Sequence, residues 1–248
     1  MPLATVELSE LTVRLRGPLS IGTGFARGLV NRTVVRGADG LVYVPGSVLK
    51  GKVRSACEAM ARRLRLAECH APHPQRMLAD RETCLICRIF GAPGQGSDLH
   101  WQSACLTKEW QDALKLRGRV VPGQTLSRTQ VQLSRKRGLA AEAHLFTSEF
   151  AAEGLTFEAI PGFSGRLHLT SMSVAEGEPV YYELVLLLAG LKMVGALGGG
   201  TSRGAGACVL VLPDTVTVIR QPLKVAHQLE HIEYLEPEWY QEDREAQP

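Results

Sequence analysis

The chain has no apolar run long enough to cross a membrane as a helix, which takes about 20 residues. Its longest candidate, Leu184 to Leu197, is interrupted by Gly190, Lys192 and Gly195. The opening Met1-Pro2-Leu3-Ala4 has neither the basic stretch nor the apolar core of a secretion signal. No membrane partner and a cytoplasmic location are therefore expected. Aromatic residues make up only 6% of the chain, and no strand carries the aromatic signature with which RNA-recognition motifs stack bases. Residues 1–69 contain no histidine, so that stretch has no imidazole for acid–base chemistry. Six cysteines in 248 residues read as thiols or a metal site rather than a disulfide framework.

What is present suits one large, elaborated domain: 45% of the 248 residues are hydrophobic. The net charge of +3 hides a division, because residues 1–138 hold 22 of the 28 Lys and Arg but only 10 of the 25 Asp and Glu. A basic part of that size, richer in arginine than lysine, fits a polyanionic partner with planar, bidentate phosphate contacts. The alternative is a solvated surface whose two halves neutralise each other in the fold. The acidic end, Glu230 to Pro248, has no sustained period and reads as a tail that is loose alone and docks on a partner.

Apolar periodicity predicts two helices. Ser47 after Pro45-Gly46 reads as an N-cap, followed by Leu49, Val53, Ala56, Cys57, Met60 and Leu64 at helical spacing through Leu66. Lys50, Lys52, Arg54, Arg62, Arg63 and Arg65 fall on the opposite face. A second helix, about Val180 to Ala196, is apolar nearly all round and should pack deeply against a sheet. Strands are expected at Ala4–Leu15, Trp101–Thr107, Thr129–Leu133, Ala143–Phe150, Leu155–Ile160, Gly165–Ser171 and Ala207–Leu212. That order is α+β: a ferredoxin-like βαββαβ core, of the RNA-recognition-motif type, with large insertions.

Between the second helix and the last strand stands Gly198-Gly199-Gly200-Thr201-Ser202-Arg203-Gly204-Ala205-Gly206. Several glycines around one guanidinium suit a phosphate backbone passing close by. A flexible helix cap and turn is the plainer alternative, for which one or two glycines would do. It is a poor nucleotide P-loop, since it follows a helix and carries arginine rather than lysine. Cys84 and Cys87 form a C-x-x-C pair, preceded by Cys69 and His73, with His70 competing for the histidine position. Four such ligands suit tetrahedral, structural zinc; a redox pair or two unrelated pairs of thiols are the alternatives. Cys57, Cys105 and Cys208 read as buried thiols, and His100, His144 and His168 are assigned no role.

Val44-Pro45-Gly46-Ser47-Val48-Leu49-Lys50-Gly51-Lys52-Val53-Arg54 resembles the "I-P-G-S-S-L-K-G-x-x-R" start of the first helix in the RAMP superfamily of CRISPR proteins. Gly198–Gly206 resembles that superfamily's Gly-rich loop, and Arg88-Ile89-Phe90-Gly91 its "L-F-G". Arg128 to Ala140 with Leu145-Phe146-Thr147-Ser148-Glu149-Phe150 resembles "R-x-x-V-x-I-D-R-x-T-G-x-A … L-F-x-x-E". The pattern is most similar to backbone subunits of type III and type III-derived effector complexes.

The resemblance implies a domain over residues 1–212 with a zinc insert at about 67–92 and a thumb hairpin at about 120–143, followed by a C-terminal extension, 213–248. It implies as partners a guide CRISPR RNA, a target RNA, copies of the chain in a filament and other effector subunits, including a separate nuclease. The residues it implies for RNA are Ser47, Lys50, Lys52, Arg54, Arg128, Arg135, Arg137, Gly199, Gly200, Thr201, Ser202 and Arg203. For the basic hairpin a solvated tip is the alternative. Active relatives carry an aspartate in "G-G-V-D-N-P-V-I-R-D", which Gly28 to Gly37 resembles, and Asn31 falls at that position. An amide is no general base, so target cleavage is expected to be lost. The alternative is a metal-dependent endoribonuclease that cuts target RNA at regular intervals with a carboxylate from Asp39 or another loop, although Ala38-Asp39-Gly40 reads as a turn. A third branch, guide-processing nucleases, often uses a histidine in the N-terminal half of the fold and fits poorly.

Overall fold

A computed structural model describes residues 3–26, 30, 32–66, 69, 84–94, 96–116, 119–120, 123–134, 136–173 and 177–246. In chain order its first half runs β1 (Leu3–Leu8), β2 (Leu11–Leu15), β3 (Tyr43–Val44), α1 (Gly46–Arg63), α2 (Leu85–Phe90), β4 (Leu99–Trp101), β5 (Ala104–Leu106), α3 (Lys108–Leu114), β6 (Lys115–Leu116) and β7 (Arg119–Val120). Its second half runs β8 (Thr125–Ser134), β9 (Leu139–Ala151), β10 (Thr156–Ala159), β11 (Phe163–His168), α4 (Tyr182–Met193), β12 (Cys208–Val211), β13 (Thr215–Val218), β14 (Gln221–Lys224), α5 (Val225–Glu230) and α6 (Pro237–Ala246).

Taken as β2-α1-β5-β10-α4-β12, six elements form the expected βαββαβ unit. Their strands lie in the order β12-β2-β10-β5 with every neighbour antiparallel, and β3 adds an edge beside β5. The predicted strands Ala4–Leu15 and Trp101–Thr107 are each broken in two. Their other halves, β1 and β4, join β11, β13 and β14 in a second sheet of order β14-β13-β1-β11-β4. The breaks sit at one level, where the Gly162 N–H donates to the Leu8 carbonyl (2.8 Å) and the Gln102 N–H to the Gly162 carbonyl (3.3 Å). The apolar alternation changes phase at each break, from Ala4, Val6 and Leu8 to Leu11, Val13 and Leu15, and from Leu99 and Trp101 to Ala104 and Leu106, a shift that the reading as single strands passed over.

Helix α1 buries Leu49, Val53, Cys57, Met60 and Ala61 against α4, whose residues Tyr182 to Leu191 are buried on all sides. Pro45 rather than Ser47 occupies the N-cap; Ser47 lies inside the first turn, exposed, and the Gly46 N–H donates to Ser103 Oγ (3.2 Å). A Cβ on Gly46 would stand 2.2 Å from the Trp101 carbonyl oxygen, so the Pro-Gly-Ser start is packed backbone to backbone on β4. The helices pack closely at Gly190, where a Cβ would stand 2.2 Å from Cys57 Sγ. Cys105 corrects the reading of three buried thiols: between buried Ala104 and Leu106 on β5 it points outward and is exposed, while Cys57 and Cys208 are buried.

Residues 213–246 are folded against the body, and they include residues 230–246 of the acidic end that reads in sequence as a tail loose alone. Strand β13 pairs with β1 through Val6↔Val218 and Glu7↔Thr217. Tyr240 packs edge-on to Tyr182 with centroids 5.2 Å apart, and Asp243 accepts hydrogen bonds from Tyr182 Oη (2.8 Å) and the Ser173 N–H (2.9 Å). The buried residues Leu235, Tyr240 and Asp243 are scattered among exposed glutamates, which hid their common inner side.

Strands β8 and β9 form a separate two-stranded hairpin. Val131, Leu133, Leu139 and Leu145 are exposed along it, so no core covers its outer part. Gly190→Ala is expected to lower stability by about 1–3 kcal/mol through overpacking. Adding Cys57→Ala should recover most of that loss. Thermal melts of the two single variants and the double variant check the coupling.

Candidate nucleic-acid interface and metal centre

The Gly-rich loop is partly a requirement of the fold. A Cβ on Gly198 would stand 2.2 Å from the Ser20 carbonyl oxygen, and one on Gly206 would stand 1.9 Å from that of Leu197. Gly200 and Gly204 take left-handed backbone on either side of a short turn, Thr201–Arg203. Gly199 carries neither constraint. Its N–H donates to Ser20 (2.8 Å) while Gly199, Thr201, Ser202, Arg203 and Gly204 face solvent.

Helix α1 presents exposed Ser47 and Gly51 with half-buried Lys50 and Lys52. A Cβ on Gly51 would meet nothing within 4 Å, so this helical glycine has no packing reason, although it costs about 1 kcal/mol against alanine. Burial, with Arg54 second, lowers the Lys50 pKa. Burial pushes the Cys208 thiol up to about 11, against a downward pull from Lys52. Arg54 is engaged within the protein: its Nε donates to Glu58 (2.8 Å) and its Nη1 to the Gly91 carbonyl (3.0 Å).

Residues 16–20 and 32–36 join the glycine loop to the foot of the hairpin. Leu19 and Ala151 exchange backbone hydrogen bonds (3.0 and 2.7 Å), and the Glu149 N–H donates to the Arg32 carbonyl (2.8 Å). Glu149 also binds the Arg36 guanidinium and accepts from the Val34 N–H (3.0 Å). Burial pushes the Glu149 carboxyl up, but the hydrogen bonds from Arg36, Val34 and Thr125 outweigh it and hold the group below its usual range.

Asn31, His70, His73 and Arg135 lie outside the described residues. Arg128 is exposed on β8, and Arg137 lies at the tip, where its N–H donates to the Ser134 carbonyl (3.2 Å). Asp39 makes the expected turn, accepting from the Leu41 N–H (3.1 Å), with Lys115 Nζ 3.6 Å from its other oxygen. It borders a cavity of about 240 Å³ whose lining, including Leu41, Val42, Tyr43, Cys105 and Leu106, supplies no second carboxylate for a hard metal ion.

Cys69, Cys84 and Cys87 are buried, with their sulfurs all within 4.8 Å of one another. Hydrogen bonding from the Cys87 thiol, opposed by burial and assisted by the Cys69 N–H (3.2 Å), brings Cys84 down to about 6, while Cys87 is raised. Three converging soft donors, one already favoured as thiolate, could hold a metal ion.

The glycine loop, the lysine-bearing helix and the hairpin all fall within one family match: residues 12–209 match the RAMP superfamily. The chain belongs to the RAMP superfamily. That family is associated with CRISPR effector complexes and RNA binding. No curated protein matches the chain. Among the described residues of this RAMP protein, no helix is long and apolar enough to cross a membrane.

The sequence reading missed the Arg36–Glu149 clamp, for which the Glu of the "L-F-x-x-E" resemblance was the available signal. Glu149→Gln is expected to cost about 1–2 kcal/mol near neutral pH, as the loss of a charged hydrogen bond. Because the folded-state pKa is depressed, the wild type loses this stabilisation as pH falls through that pKa. Denaturation curves of the two proteins should therefore converge in acid.

Proposed function

We propose that this chain is a backbone subunit of a type III or type III-derived CRISPR effector complex. It polymerises with copies of itself along a guide RNA and captures complementary target RNA without cutting it. The observation that carries this reading is the joining of two solvent-facing features through residues 16–20, the Gly199–Arg203 loop and the foot of the β8–β9 hairpin, in a chain whose first helix also presents Lys50, exposed Gly51 and Lys52. Bare backbone at Gly51 and Gly199 lets a strand approach closely, while Lys50, Lys52 and Arg203 supply cations for its phosphates. Such contacts carry no base information, which leaves sequence to guide–target pairing. The exposed hairpin, 125–151, is the proposed thumb, with Arg128 and Arg137 along it. Chemistry on the target belongs to a separate subunit, since Asn31 offers no carboxylate and Asp39 is held in its turn.

The cysteine trio is proposed to hold structural zinc, with His73 or His70 completing the tetrahedron. Metal analysis should find about one zinc per chain, and Cys84→Ser with Cys87→Ser should release it and lower the melting temperature. Metal-free protein prepared without chelator would sink the assignment.

Replacing Lys50, Lys52 and Arg203 by alanine should weaken binding to RNAs of any sequence. It should also flatten the salt dependence by about two units of slope for three lost contacts. Binding isotherms at several salt concentrations check this. In the assembled, guide-loaded complex, complementary RNA should be bound and left intact in magnesium or manganese. Regular cuts abolished by Asp39→Ala would overturn the non-cleaving reading.

A further inference from the structure

At the foot of the hairpin, Ser148 on β9 is bridged from both sides. Arg128 of β8 is its antiparallel partner, and Arg32 is its parallel partner on the opposite edge. Arg32, Ser148 and Arg128 therefore form one row across β8, β9 and the segment bridged to β9 at Arg32. The Arg32 guanidinium carbon lies over the Phe146 ring, 5.3 Å from its centroid, and that of Arg128 over the Phe150 ring, 5.6 Å away. Phe146, Ser148 and Phe150 share a face of β9 by strand alternation.

Both arginines are exposed, and neither has a carboxylate partner among the described residues. Glu149 projects from the opposite face and is taken by Arg36 and the Val34 N–H. The row between the arginines is polar but uncharged, because the Ser148 hydroxyl donates to Gln130 Oε1 (3.4 Å). Two unneutralised guanidiniums are thus seated on aromatic rings four residues apart, which is roughly 13 Å along an extended strand. Seating on a ring limits the side chain's freedom and leaves the N–H edge available to an oxyanion.

We propose that Arg32 and Arg128 form a two-point clamp for the sugar–phosphate backbone of single-stranded RNA, gripping two separate phosphates along β9. It rests on the RNA-binding reading above and extends it to the hairpin foot, which the Leu19–Ala151 and Gly199–Ser20 hydrogen bonds make continuous with the glycine loop. Phe146 and Phe150 are positioning residues that hold the two cations in place.

The test measures binding of the full chain to a short single-stranded RNA over a salt series. Arg32→Gln and Arg128→Gln should each weaken binding on the order of threefold to tenfold and reduce the salt slope by about one, with the double variant losing about twice as much. The Arg32→Lys, Arg128→Lys pair should keep the wild-type slope but bind more weakly, since the ammonium cannot lie on the ring as a planar fork. Phe146→Leu should do the same, because the charge stays while its seat is lost. The clamp is overturned by glutamine variants with wild-type affinity and slope beside a Lys50, Lys52, Arg203 alanine variant whose slope has flattened. Should the glutamine variants not fold, the lysine pair decides, and wild-type affinity in it overturns the clamp. A wild-type chain without salt-dependent RNA binding would overturn the functional reading itself, and the clamp with it.

Discussion

The backbone of residues 16–20, where the chain leaves β2, is the constraint on which the exposed Gly-rich loop and the foot of the hairpin depend. Arg16 donates to Ala207, Gly206 to Pro18 and Gly199 to Ser20, each at 2.8 Å, so both ends of the glycine loop are fixed to this one segment. The same five residues exchange two hydrogen bonds with Ala151 at the foot of the hairpin through Leu19. These are backbone contacts, so they survive most side-chain changes and demand glycine only where backbones meet, at Gly198 and Gly206. A loop and a hairpin separated by some fifty residues in sequence thereby share one rigid foundation.

The second organising feature is a buried ionic network on the other side of α4. Arg88, one residue past Cys87, lies 2.9 Å from Glu183, and the two side chains are 5% and 0% exposed. Arg88 also donates to Thr170 Oγ1 (3.1 Å) and Tyr240 Oη (2.8 Å), while Glu183 accepts from the Thr170 N–H (2.8 Å). Burial raises the Glu183 carboxyl and Arg88 pulls it back. Removing one partner of such a pair leaves an uncompensated buried charge, a loss of about 3–5 kcal/mol. The network ties the cysteine-bearing α2, the core helix α4 and the C-terminal α6 into one polar knot, so the cysteine cluster and the C-terminal layer rest on a common support.

Much of the core was legible in the sequence because its signals are local. The apolar stripe of α1, the all-round apolar α4 and the order of strands gave the βαββαβ unit, and glycine density marked a loop that the structure leaves exposed. The failures were of a different kind. The alternation shifts phase at Ser9-Glu10, between Leu8 and Leu11, and Ala4–Leu15 was read as one strand across that shift. A buried stripe thinned by glutamates does not register as amphipathic, so α6 read as a loose tail. Ser47 looked like a cap because the close packing of Gly46 on the Trp101 carbonyl cannot be seen in the chain itself.

By itself the sequence determined which residue types are available: the basic first half, the glycines around Arg203, the three cysteines and the amide at position 31. Tertiary structure alone decided which of them act together. It turned Arg54 inward to Glu58 and Gly91, left Arg32 and Arg128 facing solvent on their phenylalanine seats, and closed Asp39 into a turn beside an apolar cavity. The reason is physical: charge and chemistry belong to single residues, whereas pairing depends on strand register and on which carboxylate lies within hydrogen-bond reach. Neither distance is encoded in any local pattern.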